Sequence, residues 1–155
     1  MERDHDVYMQ RCIDLSKQSI AEGNRPIGAL VVRDGEIVGE GRNQSNTVLD
    51  PSAHAEIAAI RDAAVRLGTA DLSGCTLYSA MEPCPMCLGT ILEAKVTRLV
   101  LGGRHAGIGR KDRGRYNVES MLELTAGKLE VVTGFRAREC EVMRLDWNAA
   151  QAKKA

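Results

Sequence analysis

The chain has 155 residues, of which 44% are apolar, and this size and composition suit one domain, residues 1–155, around a single buried core. The 21 Lys and Arg residues balance the 21 Asp and Glu residues, which argues against a surface that as a whole attracts nucleic acid or anionic membrane. The sequence shows neither a signal-peptide pattern nor an apolar run of the ~18 residues that a membrane span needs, so we expect a soluble, cytoplasmic protein without a membrane partner.

The first half of the chain shows the patterns of two helices and a β-hairpin. Apolar side chains follow a helical stripe until Gly23, and the pair Asp34-Gly35 between two β-branched runs is typical of a tight turn between antiparallel strands. An alanine-rich segment after Pro51 contains good helix formers and ends at Gly68, a typical C-terminal cap. The predicted elements are a helix at 5–22, strands at 29–33 and 36–40, and a helix within 54–68.

The second half predicts strands and helices in alternation. Pro83 suits the first turn of a helix, and the pair Gly102-Gly103 is typical of the end of a strand. A strand, a helix and a strand in succession predict a crossover connection with parallel pairing in one sheet. The predicted elements are a strand at 76–81, a helix at 83–94, a strand at 98–101, a glycine-rich loop at 102–117, a short helix at 118–124, a strand at 129–133 and a helix at 136–151. Together they predict an α/β fold with a mixed sheet flanked by helices.

Five cysteines are an odd number, and an intracellular protein would keep them as thiols. Three of them, Cys12, Cys75 and Cys140, lie among apolar neighbours and are interpreted as small buried residues. The other two, Cys84 and Cys87, form a CxxC motif at the start of a predicted helix. This spacing brings both sulfur atoms within reach of one metal ion, but it is also typical of a thioredoxin-like redox pair. The motif alone leaves both interpretations open.

The segment His54-Ala55-Glu56, thirty residues upstream, favours the metal. It opens the helix that a parallel crossover would place alongside, and a redox pair needs no such partner. One imidazole from His54 and two thiolates from Cys84 and Cys87 suit zinc, and three protein ligands leave a fourth tetrahedral position for water, as in catalytic sites. Because residues i and i+2 face different sides of a helix, His54 is expected at the helix mouth, with Glu56 reaching the same site as a proton carrier.

These motifs together resemble the zinc-dependent cytidine-deaminase-like superfamily. The resemblance covers residues 25–101 and is carried by PIGA at 26–29, GRN at 41–43, DPSAHAE at 50–56 and EPCPMC at 82–87. It implies a three-layer α-β-α sandwich with a mixed five-stranded sheet, and a homodimer. It also implies one Zn²⁺ per chain, bound by His54, Cys84 and Cys87.

The reaction that the resemblance implies is attack of zinc-bound hydroxide on an amidine-like carbon of a nitrogen heterocycle, with release of ammonia. Glu56 would be the catalytic residue. The side chain of Asn43 and backbone N–H groups near Ala55 would bind the substrate. The implied partner is a small-molecule heterocycle, a free nucleobase or nucleoside of guanine or cytosine type.

The stretch after Leu101 bears on the choice of substrate. Its sequence, GGRHAGIGRKDRG, departs from the Lys-Thr-Gly-Ala type of loop expected in tRNA adenosine deaminases, and only 3% of the residues are aromatic, which fits poorly with gripping a flipped base of a folded RNA. A small heterocycle is therefore favoured, and a tRNA-specific adenosine deaminase is the alternative. A non-enzymatic zinc or thiol-redox module ranks lower because it leaves Glu56 unexplained.

Four further features receive structural interpretations. The segment 103–116 holds five Arg or Lys residues against one Asp, and a solvated loop is favoured over a phosphate or RNA contact. Glu82 is expected to brace the cysteine loop, and Met86 to fill a gap in the core. The terminal helix, with Trp147, is expected to pack on the sheet, and closure over the substrate is the alternative.

Overall fold

The computed structural model describes residues 2–155 of the chain. Its helices are α1 (Glu2–Ala21), α2 (Ser45–Val48), α3 (Ala55–Leu67), α4 (Pro85–Glu93), α5 (Val118–Thr125) and α6 (Ala137–Lys154), with one turn of 3₁₀ helix at Ala106–Ile108. Its strands are β1 (Gly28–Arg33), β2 (Glu36–Arg42), β3 (Thr76–Met81), β4 (Arg98–Gly103) and β5 (Glu130–Val132).

The five strands form one mixed sheet in the order β2-β1-β3-β4-β5. Strand β1 pairs antiparallel with both β2 and β3, whereas β3, β4 and β5 run parallel. The hairpin turn between β1 and β2 places Asp34 and Gly35 at φ values of 50° and 78°, the left-handed pair that a tight hairpin turn requires. Both the antiparallel hairpin and the parallel crossover are thus confirmed.

The two faces of the sheet bury separate cores. On β3 and β4, Leu77 and Leu99 belong to one core, and the residues that follow them, Tyr78 and Val100, belong to the other, as the alternation of side chains along a strand requires. Helices α3 and α4 cover the first face, and α1 and α6 cover the second. This arrangement confirms the three-layer α-β-α sandwich.

Two glycines on β2 bring helix α3 into close contact with the sheet. A Cβ atom added at Gly41 would lie 2.2 Å from the carbonyl oxygen of Ala55, and one added at Gly39 would lie 2.4 Å from the carbonyl oxygen of Ala59. Since real Cβ atoms do not approach that closely, only glycine allows this packing. The contact holds the first turn of α3 beside the end of β2, where Asn43 follows.

The structure shifts several of the sequence-based boundaries, such as the end of β2, at Arg42, and the end of α6, at Lys154. Gly102 and Gly103 extend β4 instead of ending it, because the missing side chains make room for α6: a Cβ at Gly102 would lie 2.8 Å from the Cys140 sulfur. Helix α4 begins at Pro85, later than predicted, and the short helix α2 was not predicted. Met86 is 41% exposed, so the expectation that it fills the core was wrong.

None of the described helices combines the length and the apolarity that a membrane crossing needs.

Candidate metal centre and substrate cavity

Helix N-termini position the three residues that the sequence predicts as metal ligands. His54 is the N-cap of α3 and Cys84 is the N-cap of α4, both in extended backbone, and Cys87 lies in the first turn of α4. Neither side chain makes a capping hydrogen bond, so both are free to face the same point. The His54 Nδ1 atom lies 3.6 Å from the Cys84 sulfur and 3.4 Å from the Cys87 sulfur. His54 is therefore at the helix mouth as predicted, whereas Cys84 precedes its helix instead of lying on its face.

The three side chains could hold one metal ion. Their ligand atoms all lie within 4.8 Å of one another, and both cysteines are buried. The set of one imidazole nitrogen and two sulfurs is the donor chemistry that zinc accepts in three-ligand sites. Two helix N-termini also meet here, and their partial positive charge stabilises thiolates.

Protonation of the site follows from its hydrogen bonds. The pKa of Cys84 is lowered to about 3, mainly because the Cys87 thiol donates a hydrogen bond to it, with a further contribution from His54. The same interaction raises the pKa of Cys87, and the hydrogen bond to Cys84 raises the pKa of His54. The cluster thus shares protons that a bound cation would displace, since metal ligation requires thiolates and a neutral imidazole.

Glu56 has the surroundings of a group that exchanges a proton. It is the second residue of α3 and 3% exposed, and its Oε1 atom has no hydrogen-bond partner within the described residues. Burial raises the pKa of its carboxyl group, and a hydrogen bond with Cys87 acts in the opposite direction. A buried carboxyl oxygen without a protein partner is costly unless it serves a ligand or a proton transfer.

Asn43 and His54 line one cavity, of about 440 Å³. Asn43 is almost fully buried; its Oδ1 accepts a hydrogen bond from the backbone N–H of Ser45, while its Nδ2 atom has no partner in the part of the chain that the structure describes. Ala55, the first residue of α3, has an N–H group that the helix leaves without an internal acceptor. The structure therefore brings the predicted substrate-binding groups to the mouth of the predicted metal centre.

Glu82 connects the metal-bearing segment with the loop after β4. Its side chain is 1% exposed and forms an ion pair with Arg104 at 3.1 Å. The same carboxylate accepts the backbone N–H groups of His105, at 3.0 Å, and Val118, at 2.9 Å. Glu82 thus has the bracing role predicted for it, although it holds the loop that follows β4 as well as its own segment.

The glycine-rich segment after β4 is not a solvated loop throughout. Arg104 pairs with Glu82 and also with Glu119 at 2.5 Å, and Arg110 pairs with Asp112 at 2.6 Å with a side chain only 15% exposed. The solvated-loop interpretation was therefore wrong for these arginines.

Several residues near the site escaped the sequence reasoning. The hydroxyl group of Tyr116 donates a hydrogen bond to the Pro83 carbonyl beside Cys84, so the loop returns to the metal centre. Arg25 lines the same cavity as Asn43. Arg25 adjoins the motif PIGA, but no spacing rule identifies an isolated arginine or tyrosine as part of a site.

Residues 2–103 match the family described as the cytidine and deoxycytidylate deaminase zinc-binding region. The chain belongs to this family. Zinc is accordingly the cofactor of the family site, and His54, Cys84 and Cys87 are positioned as its possible ligands.

Curated members of the deaminase family and larger proteins are similar to the chain. It is 39% identical over 130 residues to the tRNA-specific adenosine deaminase of Haemophilus influenzae, covering 80% of this chain and 75% of that one. It is 41% identical over 102 residues to the guanine deaminase of Bacillus subtilis, covering 65% of each. It is 41% identical over 130 residues to the tRNA(Ile)-lysidine synthase of Deinococcus deserti, covering 83% of this chain, but it spans only 24% of that protein.

Solved structures of the family share the fold over most of the chain. The guanine deaminase from Nitrosomonas europaea superimposes with a TM-score of 0.81 at 29% identity, covering 93% of this chain and 84% of that one. A tRNA:A34 deaminase superimposes with a TM-score of 0.78 at 29% identity, covering 88% of this chain and 98% of that one. The two likenesses are of similar strength, so the comparisons leave the substrate open between a free nucleobase and tRNA.

Proposed function

We propose that this protein catalyses the hydrolytic deamination of a small nitrogen heterocycle, a free nucleobase or nucleoside of guanine or cytosine type, with release of ammonia. The observation that carries the proposal is the buried, unpartnered carboxyl oxygen of Glu56 beside the cluster of His54, Cys84 and Cys87. A structural zinc site has four protein ligands and needs no such carboxyl group. A thiol-redox pair would need neither His54 nor Glu56.

We assign His54, Cys84 and Cys87 as the ligands of one zinc ion. When bound, zinc supplies Lewis acidity, which lowers the pKa of a water molecule from about 15.7 to roughly 7 and so provides a nucleophile at neutral pH. The residues of the chain then manage protons and orientation. Glu56, inside the first turn of α3, takes one proton from the attacking water and delivers it to the ring nitrogen; it then takes the second proton from the hydroxyl group on the tetrahedral carbon and delivers it to the leaving amine.

Proton transfer of this kind balances the reaction. Water adds to the amidine-like carbon, the C–N bond to the exocyclic amine breaks, a carbonyl group remains on the ring and ammonia leaves. The raised pKa of Glu56, which results from its burial, suits a group that must bind a proton and release it again near neutral pH.

Orientation of the ring is assigned to groups at the cavity wall. The Asn43 amide presents a free Nδ2 donor, and the N–H of Ala55 is a second donor at the start of α3. Together they can hold the carbonyl or ring nitrogen of a nucleobase while its amidine carbon faces the metal centre.

Two broader features belong to the proposal. The family resemblance supports a homodimer of single-domain chains. All five cysteines are free and buried, which suits a reducing compartment such as the cytoplasm.

Measurement of ammonia release tests the proposal. Zinc-loaded protein is assayed with guanine, cytosine and adenine, their nucleosides and 5′-nucleotides, s-triazines and a tRNA anticodon stem-loop. We expect one small heterocycle to exceed the stem-loop in kcat/KM by about a hundredfold or more, the range that a few hydrogen bonds can supply. A clear lead of the stem-loop would instead support the alternative, a tRNA-specific adenosine deaminase, which the Haemophilus relative favours.

A further inference from the structure

A cavity of about 430 Å³ between α6 and the loop after β4 carries a concentrated positive charge. Its lining includes the cations Arg25, Arg110, Lys111 and Arg144 and a single anion, Asp112, a formal charge of +3. The chain as a whole has a net charge of zero. Positive charge is therefore collected in this cavity, and the rest of the chain carries the opposite excess.

Arg144 is the most deeply placed of these cations. It lies on α6, is 6% exposed, and makes no ion pair with any carboxylate of the described residues. Its Nε donates to Asn148 at 3.0 Å, and its guanidinium lies 5.5 Å from the ring centroid of Trp147. Burial, followed by the charges of Arg110 and Arg25, lowers its pKa to about 10, so it remains a cation at neutral pH. A buried cation without an anion is unfavourable, and binding an anion would offset that penalty.

A second arginine, in the loop after β4, also lacks a hydrogen-bond acceptor. The Nε atom of Arg113 is buried without a hydrogen-bond partner in the described residues. Arg113 and Arg110 line a neighbouring cavity of about 420 Å³, so Arg110 lies between the two. The sole carboxylate that pairs with Arg110 is Asp112, which leaves donors of this group free for a ligand.

The charged cavity adjoins the proposed catalytic site. Arg25 lines both this cavity and the one that contains Asn43 and His54. Its charge acts on His54 on one side and on Arg144 on the other. The two cavities therefore meet at Arg25.

Resting on the deamination reaction of the proposed function, but in place of its unphosphorylated nucleobase or nucleoside, we propose that the heterocyclic substrate carries a phosphate monoester. The phosphate binds to Arg25, Arg110 and Arg144 while the ring occupies the cavity of Asn43 and His54. The planar guanidinium group binds phosphate oxygens with paired, charge-assisted hydrogen bonds. A phosphate monoester near neutral pH bears between one and two negative charges, which suits a cavity of charge +3 better than a carboxylate does.

The charge distribution also favours a free nucleotide over RNA. A polynucleotide is held through many phosphates along an extended basic surface. Here the surplus lies in this cavity and in the neighbouring one that shares Arg110, and the chain as a whole has no excess of positive charge. A single terminal phosphate needs only the cavity.

The test compares cytidine, guanosine and adenosine with their 5′-monophosphates, using the zinc-loaded full chain and ammonia release as the readout. For the base that reacts, we expect the monophosphate to exceed its nucleoside in kcat/KM by about a hundredfold, because charge-assisted hydrogen bonds are lost without it. The Arg144→Gln variant should reduce this ratio at least tenfold. Arg138→Gln removes the same charge from an exposed position on α6 and should leave the ratio unchanged.

Circular dichroism establishes that each variant is folded, and Arg110→Gln replaces Arg144→Gln if the latter is not. Equal kcat/KM values for nucleoside and monophosphate, or a ratio that Arg144→Gln does not alter, would overturn the phosphate proposal. A preference for the anticodon stem-loop over every monophosphate would overturn it too, in favour of RNA.

Failure of the proposed function gives a different result, namely no ammonia from any compound. Calorimetric titration with inorganic phosphate and the 5′-monophosphates then tests the cavity by itself. Binding that weakens tenfold or more in the Arg144→Gln variant supports the phosphate site, and absence of binding overturns it.

Discussion

Two regions of the molecule hold their functional side chains by different means. In residues 25–103, called here the catalytic frame, His54 and Cys84 are helix N-caps, so backbone geometry places them. In residues 104–155, called the outer region, Arg144 approaches Arg25 only because α6 packs across the sheet toward the loop after β4. The frame carries the candidate metal ligands and Glu56, and the outer region contributes Arg110, Lys111 and Arg144 to the charged cavity. We infer that the frame determines the reaction and that the outer region selects the substrate.

The two regions are joined by the pairing of β4 with β5 and by apolar packing of α5 and α6, and a polar junction lies beside the metal-bearing segment. Glu82, at the end of β3, accepts hydrogen bonds from Arg104, His105 and Val118, and Tyr116 donates to Pro83. Changes within the frame should therefore affect chemistry, whereas changes at this junction should affect the placement of the outer region.

The largest expected effect is that of Glu56→Gln within the frame. The amide cannot carry the proton, so kcat should fall by about a thousandfold, within the range of general acid–base catalysis. The zinc content, measured by mass spectrometry, should stay at one per chain. Glu93→Gln, an exposed change at the end of α4, is the matched control and should leave kcat unaltered. Normal turnover by zinc-loaded Glu56→Gln protein would contradict the role assigned to this residue.

The second-largest expected effect is that of removing zinc. With zinc a thousandfold above its Kd, binding adds about 4 kcal/mol to the free energy of unfolding, so chelation should lower Tm by roughly 10 °C and abolish ammonia release. Cys87→Ser should show little further response to the chelator, because a ligand is already lost. Cys75→Ala, at a buried cysteine outside the cluster, should retain zinc. An unchanged Tm after complete metal removal would show that the frame forms independently of zinc.

Neutralisation of Glu82 at the junction should have a smaller effect than removal of zinc. It should act on the free energy of unfolding. Glu82→Gln leaves Arg104 with Glu119 alone and weakens two backbone hydrogen bonds, so the free energy of unfolding should fall by about 3 kcal/mol in a urea titration. Glu130→Gln disrupts the exposed pair with Arg98 and should change it by less than about 1 kcal/mol. Similar losses for the two variants would mean that the junction is no stronger than a surface ion pair.

The contact between β2 and α3 can be tested with one methyl group. Gly41→Ala places a Cβ 2.2 Å from the Ala55 carbonyl, so it should destabilise the fold by about 2 kcal/mol and weaken zinc binding by displacing His54. Gly89→Ala, in helix α4 with its nearest neighbour 4.0 Å away, should instead stabilise by about 0.5–1 kcal/mol. Zinc affinity that is unchanged in Gly41→Ala would separate the packing of α3 from the metal centre.

The smallest effect is a pH dependence in the outer region. Burial lowers the pKa of His105, so the folded state binds fewer protons than the unfolded state as the pH falls below about 6.5. Stability contributed by neutral His105 is thus present above that pH and is lost on acidification. Between pH 7.5 and 5.5, Tm should fall by about 2 °C more in the parent protein than in His105→Asn, measured by calorimetry. An equal fall in both would exclude His105 as a source of the pH dependence.

Prediction from the sequence succeeded for two features that depend on residues close in the chain. The turn at Asp34-Gly35 and the helix end at Gly68 rely on local backbone conformation, and both lie where expected. It failed for Gly102 and Gly103, because their strand conformation depends on α6 approaching from the end of the chain. Exposure of Met86 likewise depends on what packs against α4, which a local pattern does not specify.

The sequence by itself determined the candidate metal centre, because the segments HAE and CPMC form the helix starts that place its residues. The sequence pattern therefore identifies its residues without the fold, namely His54, Glu56, Cys84 and Cys87. Only the tertiary structure decided what surrounds that centre. Arg25 and Arg144 are 119 positions apart in the chain, and no local pattern relates them. Their common cavity exists because helix α6 packs on the sheet beside the loop that follows β4.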